Sequence, residues 1–256
     1  MLKKIKELFI PQQLLKGNCG IEREMLRVDK NGYLSFTDHP GIFGDKVLNP
    51  YITTDFSESQ VEIITPALDK IEETYSFSKA LYDIVALEIG DEILWPQSMP
   101  CFIPEDDEIP VAKYSEEGRE AEEYRNKLLK KYGGKKQLIS GIHYNYSFNE
   151  EIIRKLYESS DKELTYKEYK NSIYLKVARN YLRYRWIIVY LLGAAPVIHE
   201  SFLNGCSCKL KQISEDGYTV DGAVSHRNGE CGYRNKEELY PNYDTVEDML
   251  KASINM

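Results

Sequence analysis

Gly20-Ile21-Glu22-Arg23-Glu24-Met25-Leu26-Arg27-Val28 alternates in side-chain character closely enough to read as a β-strand. Lys30-Asn31-Gly32 follows as a turn signal, so a hairpin is expected here. On a strand, residues i and i+2 share a face, so the Glu22 and Glu24 carboxylates point the same way. Two adjacent anions repel unless a cation neutralises them. Hard divalent ions such as Mg2+ take carboxylate oxygens and share them with phosphates. A Glu-x-Glu on its own is more often a solvated hairpin face.

Further elements follow outward from that strand. Residues 1–16 read as helical, interrupted at Pro11. Tyr51-Ile-Thr-Thr54 and Val61-Glu-Ile-Ile-Thr65 have the β-branched content of strands, the second stopped by Pro66. The spacing of Ile71, Tyr75, Phe77, Leu81, Ile84, Val85 and Ile89 predicts an amphipathic helix over 70–89. The stretches 41–50 and 95–110 read as loops, the second holding four prolines and an acidic run. A charged helix is expected over 115–132, a strand over 137–148, and helices over 150–159 and 166–192. Beyond Gly205 the chain is polar and glycine-rich, with a last helix expected within 237–254. Strands come first, then helices, then another strand, without regular βαβ alternation. The expected class is therefore α+β with a mainly antiparallel sheet.

Three further signals join the first. Glu62 interrupts an otherwise apolar strand, and Asp55 lies just upstream in Ile52-Thr-Thr-Asp-Phe56. A carboxylate in such a strand is paired, metal-bound or facing a wet cavity, or the strand has one wet face. His143, in Ile139-Ser-Gly-Ile-His-Tyr-Asn-Tyr146, is either a metal ligand or a hydrogen-bonded structural residue. Arg179, Arg227 and Tyr233 form the last group, because a guanidinium offers a planar fork to carboxylate or phosphate. Singly, each reads equally as a packing or surface residue. His39, His199 and His226 lack an acidic or cysteine context and read as structural.

Composition bounds the function. With 256 residues, 33 Lys+Arg and 41 Asp+Glu, the formal charge is −8 and the isoelectric point is about 5.2. This balance argues against nucleic acid as the main partner. The residues are 42% hydrophobic and 29% charged, which excludes a wholly disordered chain. No apolar run reaches the roughly 18 residues a membrane span needs, and MLKKIKELFI is no signal peptide, so a cytoplasmic location is expected. Five cysteines, an odd number without Cys-x-x-Cys pairs, argue for free structural thiols. P-loop, Gly-x-Gly-x-x-Gly, Gly-x-Ser-x-Gly and His-Glu-x-x-His motifs are all missing. Any nucleotide would be held by metals and scattered side chains.

Taken in order, five segments resemble bacterial glutamate–cysteine ligase (γ-glutamylcysteine synthetase). They are Gly20–Val28; Ile52–Phe56 with Glu62-Ile-Ile-Thr-Pro66; Trp95-Pro-Gln-Ser-Met-Pro-Cys101; Ile139-Ser-Gly-Ile-His-Tyr-Asn145; and Arg179-Asn-Tyr181 with Tyr190-Leu-Leu-Gly193. The resemblance implies one catalytic domain over 1–256, the N-terminal portion of the family's. Its fold would be glutamine-synthetase-like: a curved, mainly antiparallel sheet flanked by helices, and incomplete.

The implied activity is ATP-dependent joining of the L-glutamate γ-carboxylate to the amine of L-cysteine through an acyl phosphate, the first step of glutathione synthesis. By motif match, Glu24, Asp55 and Glu62 would hold one Mg2+, and Glu22 and His143 a neighbouring one, with Mn2+ as a substitute. L-Cysteine would rest near Phe56, Tyr124, Leu128, Gln137, Arg227 and Tyr233. Asn228-Gly-Glu-Cys231 departs from the family's usual residues between the last two. Family chains run on past the point matching Met256, so the resemblance leaves three readings: a fragment, a chain whose other half is a separate companion chain or a second copy (self-association), or a form with lost or changed activity. The alternatives are a non-catalytic or split-enzyme interaction subunit and, more distantly, a two-metal phosphohydrolase.

Overall fold

Leu2–Leu8 (α1) and Pro11–Leu14 (α2) are short helices with the expected break before Pro11. The strand Gly17–Val28 (β1) follows and organises the main sheet. Ile52–Thr54 (β2) and Gln60–Ile64 (β3) come next, then the helix Ile71–Glu88 (α3) and the two-residue strand Ile93–Leu94 (β4). Arg119–Tyr132 (α4), Ile142–Phe148 (β5), Glu150–Glu158 (α5) and Tyr166–Leu192 (α6) continue the chain. Ile198–His199 (β6), Lys211–Gln212 (β7), Gly217–Thr219 (β8) and the helix Val246–Ile254 (α7) complete it. This computed structural model describes residues 2–206, 208–233 and 243–254.

The main sheet has the order β2-β3-β1-β4, with β5 also paired to β1. The β1–β3, β2–β3 and β1–β4 pairs are all antiparallel, as expected. Register sorts the side chains onto two faces. Arg23 stands opposite Ile63, and Met25 opposite Val61. Met25, Ile52, Val61 and Ile63 pack with Leu81 and Val85 of α3, which explains the apolar stripe on that helix. Arg23 lies over the Tyr82 ring of α3 at 4.6 Å, its stem covering the same surface. Glu22, Glu24, Leu26 and Val28 occupy the opposite face. Leu26 and Val28 enter a second core with Phe56, Met99, Leu138, Ile139, Ile198 and Phe202. Only the half of the strand carrying the two glutamates is free to do chemistry.

The chain divides into two compact units, residues 2–19, 146–192 and 243–254 in one and 20–145 with 193–233 in the other. In the first, Asn149 caps α5 by accepting from Glu151 N–H (2.8 Å), and Lys155 donates to the Leu8 carbonyl (3.0 Å). Arg179 also lies there, bonded to the Tyr243 carbonyl and 3.6 Å from Asp244. On α6, Tyr184, Trp186, Tyr190, Leu191 and Leu192 are exposed. No helix among the described residues is long and apolar enough to cross a membrane.

Several expectations are corrected. The hairpin after Val28 shrinks to a single bridge to Leu34, although the turn forms with Gly32 at φ 84°. The strand expected from 137 begins at Ile142 because residues 135–138 take a 3-10 turn. Asp106 tethers that turn by accepting from Gly134 and Lys135 N–H (2.8 and 2.7 Å). A 3-10 turn at Glu116–Gly118 delays the charged helix to Arg119. The small β6-β8-β7 sheet is unforeseen because two- and three-residue strands carry no readable alternation. Cys206 and Cys231 form a disulfide, against the expectation of free thiols. The chain after β8 returns beside Cys206, a proximity that residue spacing does not reveal. Cys101 and Cys208 stay outside that disulfide, and Cys208 Sγ lies 2.9 Å from Cys231 Sγ. His199 does have an acidic neighbour, Asp216, at 3.4 Å. Of the last expected helix, 237–242 lies outside the described residues, and the helix is found as α7.

Candidate active site

Antiparallel pairing of β1 with β3 sets Glu24 directly opposite Glu62. Cross-strand partners share a face at close range, where like charges destabilise the pair. Glu24 is held firmly. Gly141 N–H donates to its Oε2 (2.7 Å), His143 Nε2 pairs with its Oε1 (2.8 Å), and its own N–H donates to the Gly141 carbonyl (2.9 Å). Glu22, one step along the same face, accepts from Asn145 Nδ2 (2.9 Å). His143 and Asn145 sit at i and i+2 on β5, so that strand supplies both partners from one face.

Asp55 enters from the turn between β2 and β3, its N–H donating to the Gln60 carbonyl (3.1 Å). Burial pushes its carboxyl up to about 6, with Glu24 adding to the rise and Arg125, His143 and Arg227 opposing it. Glu62 is pushed up to about 7, first by burial and then by Asp55, Glu24 and Glu22. His143 is raised chiefly by its hydrogen bond to Glu24. The five residues singled out in the sequence therefore lie within one electrostatic neighbourhood.

An added divalent cation suits this donor set. Half-buried oxygens that repel one another gain most from a hard cation. Glu22, Glu24, Asp55 and Glu62 supply oxygen donors and His143 one nitrogen donor. Among the described residues, no three His, Cys, Asp or Glu side chains are already arranged to hold a metal ion. Binding would require side-chain rotations, beginning with the Glu24–His143 pair.

Arg227 and Tyr233 stand beside this cluster. Arg227 Nη1 donates to the Ile139 carbonyl (3.2 Å), and its guanidinium lies over the Tyr233 ring at 5.2 Å. Tyr233 N–H donates back to the Arg227 carbonyl (2.7 Å), closing the turn that carries both side chains. Burial raises the Tyr233 phenol first, and Asp55 raises it further. Phe56 is buried in the second core, and Leu128 packs against that core from α4. Tyr124 is exposed on α4, and Gln137 is half-buried in the 3-10 turn. No side-chain hydrogen bond joins Tyr124, Leu128 or Gln137 to the carboxylates among the described residues.

Four neighbours carry no individual signal in the sequence. Asn145 orients Glu22, and Gly141 tethers Glu24. A Cβ on Gly141 would fall where the Arg227 guanidinium lies, so that side chain would have to move aside. Arg125 bonds to the Asp55 and Thr54 carbonyls, and Tyr114 lies beneath it. Only the adjacency of Arg125 to Tyr124 could have pointed to it.

A family model described as glutamate-cysteine ligase matches residues 2–255. The glutathione biosynthesis bifunctional protein GshAB of Clostridium perfringens is 46% identical across all of this chain, which covers 33% of that protein. The glutamate–cysteine ligase of Clostridium acetobutylicum is 43% identical over 84% of this chain and 45% of its own length. Among solved structures, the bifunctional glutathione synthetase of Pasteurella multocida superposes with a TM-score of 0.81 at 32% identity. It covers 99% of this chain, which corresponds to 31% of that protein. The glutamate–cysteine ligase of Francisella tularensis, solved in complex with AMP, also gives 0.81 at 32% identity, over 94% of this chain and 47% of its own. This chain spans about a third of the bifunctional relatives and under half of the ligases.

Proposed function

This chain belongs to the glutamate–cysteine ligase family, and from that premise we propose that its carboxylate face serves ATP-dependent joining of the L-glutamate γ-carboxylate to the L-cysteine amine. The observation that carries this reading is the facing Glu24–Glu62 pair, with Asp55 and Glu22 beside it. Glu24, Asp55 and Glu62 would hold one Mg2+, and Glu22 and His143 a second, with Mn2+ able to replace either. Bound there, the ions supply charge neutralisation and alignment for phosphates. The AMP bound to the Francisella relative supports nucleotide use by the same fold.

The chain's own residues have separable tasks. The Gly141 N–H and the His143 ring set the orientation of Glu24, and Asn145 sets that of Glu22. Arg227 spends Nη1 on the Ile139 carbonyl and offers its remaining N–H groups to the substrate carboxylate. Tyr233, Tyr124, Leu128, Phe56 and Gln137 form the acceptor side around it. ATP phosphorylates the γ-carboxylate. The cysteine amine then attacks the acyl carbon and phosphate leaves. More than half of each relative lies outside the matched part, and a complete site would draw its nucleotide pocket from there, through continuation of the chain, a companion chain or self-association.

The test is ADP release by the purified chain with Mg2+, ATP and L-glutamate, with and without L-cysteine, alongside Mn2+ binding. Release that needs both amino acids supports the full reading. Mn2+ binding that is lost in Glu62→Gln, without release, supports the cation site and assigns turnover to residues outside the chain. A folded chain that binds no Mn2+ overturns the proposal.

A further inference from the structure

Helix α4 carries Tyr124 and Leu128, both on the acceptor side, yet none of its side chains is fully buried. Leu128 and Leu129 touch the second core only partly. Polar ties therefore decide where the helix sits. At its C-terminal end, Asp106 holds the following turn through Gly134 and Lys135 N–H. Near its start, Glu122 accepts from Tyr114 N–H (2.9 Å). In the middle, Arg125 reaches out of the helix. Its Nε donates to the Asp55 carbonyl and its Nη2 to the Thr54 carbonyl (3.4 Å), while Nη1 returns to Ala121 of its own helix (3.1 Å). The guanidinium lies 4.8 Å from the Tyr114 ring centre, and the Tyr114 hydroxyl bonds the same Thr54 carbonyl (3.3 Å). Thr54 is buried and Asp55 half-buried, so a protein donor to these carbonyls replaces water that has limited access.

We infer that Arg125 is a positioning residue that couples the acceptor-side helix to the carboxylate cluster, so that ordering of Asp55 by a cation also orders Tyr124 and Leu128. The inference rests on the reading of the site given above. A planar guanidinium can donate to two successive carbonyls and stack on a ring at once. A lysine ammonium on a flexible stem cannot hold that geometry. Coupling of this kind is reciprocal. Cation and acceptor each tighten the other's binding, and the ratio of affinities measures it.

The experiment titrates L-cysteine into the whole chain anaerobically, with and without saturating Mn2+, for the wild type, Arg125→Gln and Arg125→Lys. In the wild type, Mn2+ is expected to tighten L-cysteine binding about 5- to 10-fold. In Arg125→Gln the two ligands should still bind singly within about 3-fold of wild type, while the ratio falls to near one. Arg125→Lys should fall between them. A helix role that was merely structural would weaken both ligands without changing the ratio. A ratio in Arg125→Gln equal to wild type overturns the inference and leaves the site reading intact. Failure of the wild type to bind Mn2+ or L-cysteine overturns the site reading and the inference with it. Should Arg125→Gln not fold, as judged by its thermal melt, Arg125→Lys carries the same test, and an unchanged ratio there overturns it.

Discussion

The Glu24 carboxylate accepts from Gly141 N–H and pairs with His143, while Glu62, in register directly across the β1–β3 pair, has no such hydrogen bond among the described residues. The two facing acids are thereby unequal in their hydrogen bonding. Glu62 is pushed up to about 7, first by its burial and then by the neighbouring carboxylates of Asp55, Glu24 and Glu22.

Glu62→Gln tests this asymmetry through stability. A carboxyl whose folded value lies above its ordinary one binds extra protons when folded, so stability falls as pH rises from about 4.5 to about 7. Above pH 7, without divalent cation, Glu62→Gln should melt a few degrees higher than wild type. Mn2+ should stabilise the wild type and leave the variant unmoved. Parallel melting curves from pH 4.5 to 8, with and without Mn2+, check this. Equal responses of the two proteins would remove Glu62 from the cation site.

His39 acts in the opposite sense over an overlapping range. It is buried against Phe43, and neither ring nitrogen has a partner among the described residues. Burial pushes it down to about 4, helped by the Lys46 and Arg27 cations. The unfolded chain therefore binds the extra proton, and stability contributed by neutral His39 is present above pH 6.5 and is lost as pH falls toward 4. His39→Phe should remove that acid sensitivity, worth up to about 2–3 kcal/mol near pH 4. Denaturant titrations at pH 4.5 and 7.5 measure the difference. An unchanged pH slope would assign the acid sensitivity elsewhere.

Gly141→Ala separates the two halves of the candidate site. The new methyl would occupy the space taken by the Arg227 guanidinium, while the backbone bonds between residues 24 and 141 stay possible. L-Cysteine binding should weaken at least about 10-fold, the order of one lost charge-assisted hydrogen bond. Mn2+ affinity should change by less than about 3-fold. Calorimetric titration of each ligand decides it, and parallel losses would mean that the two halves of the site are not separable at Gly141.

Arg27 tests the core rather than the site. It is 1% exposed, pairs with Glu92, and donates to the Thr37 hydroxyl and the Glu58 carbonyl (2.8 Å). Arg27→Met strands those acceptors in the interior and should cost about 3–5 kcal/mol. Adding Glu92→Gln should recover part of the loss, because one uncompensated charge is removed. Urea unfolding of the single and double variants measures the recovery. A single variant as stable as wild type would show that the polar hub contributes nothing net.

Much of the site was legible in the sequence because the rule that reveals it is local. Period-two alternation places Glu22 with Glu24, and β-branched composition marks β2 and β3 around Asp55 and Glu62. The ordered segments then named the family without any knowledge of distance. The acceptor side was legible only as a resemblance, since Tyr124, Leu128 and Gln137 lie on a helix and a 3-10 turn whose placement depends on Asp106 and Arg125. The 206–231 disulfide and the three short strands beyond Ala195 left no pattern at all.

By itself, the sequence determined the class of the sheet, the acidic face of β1 and membership of the family. Tertiary structure decided which glutamate faces which, which one carries hydrogen-bond partners, which side chain occupies the space beside Gly141 and which arginine ties α4 to Asp55. The reason is one of range. Alternation and propensity act over a few residues. Register across a sheet and the approach of a guanidinium to a glycine come from segments tens of residues apart, brought together by burial of the two cores.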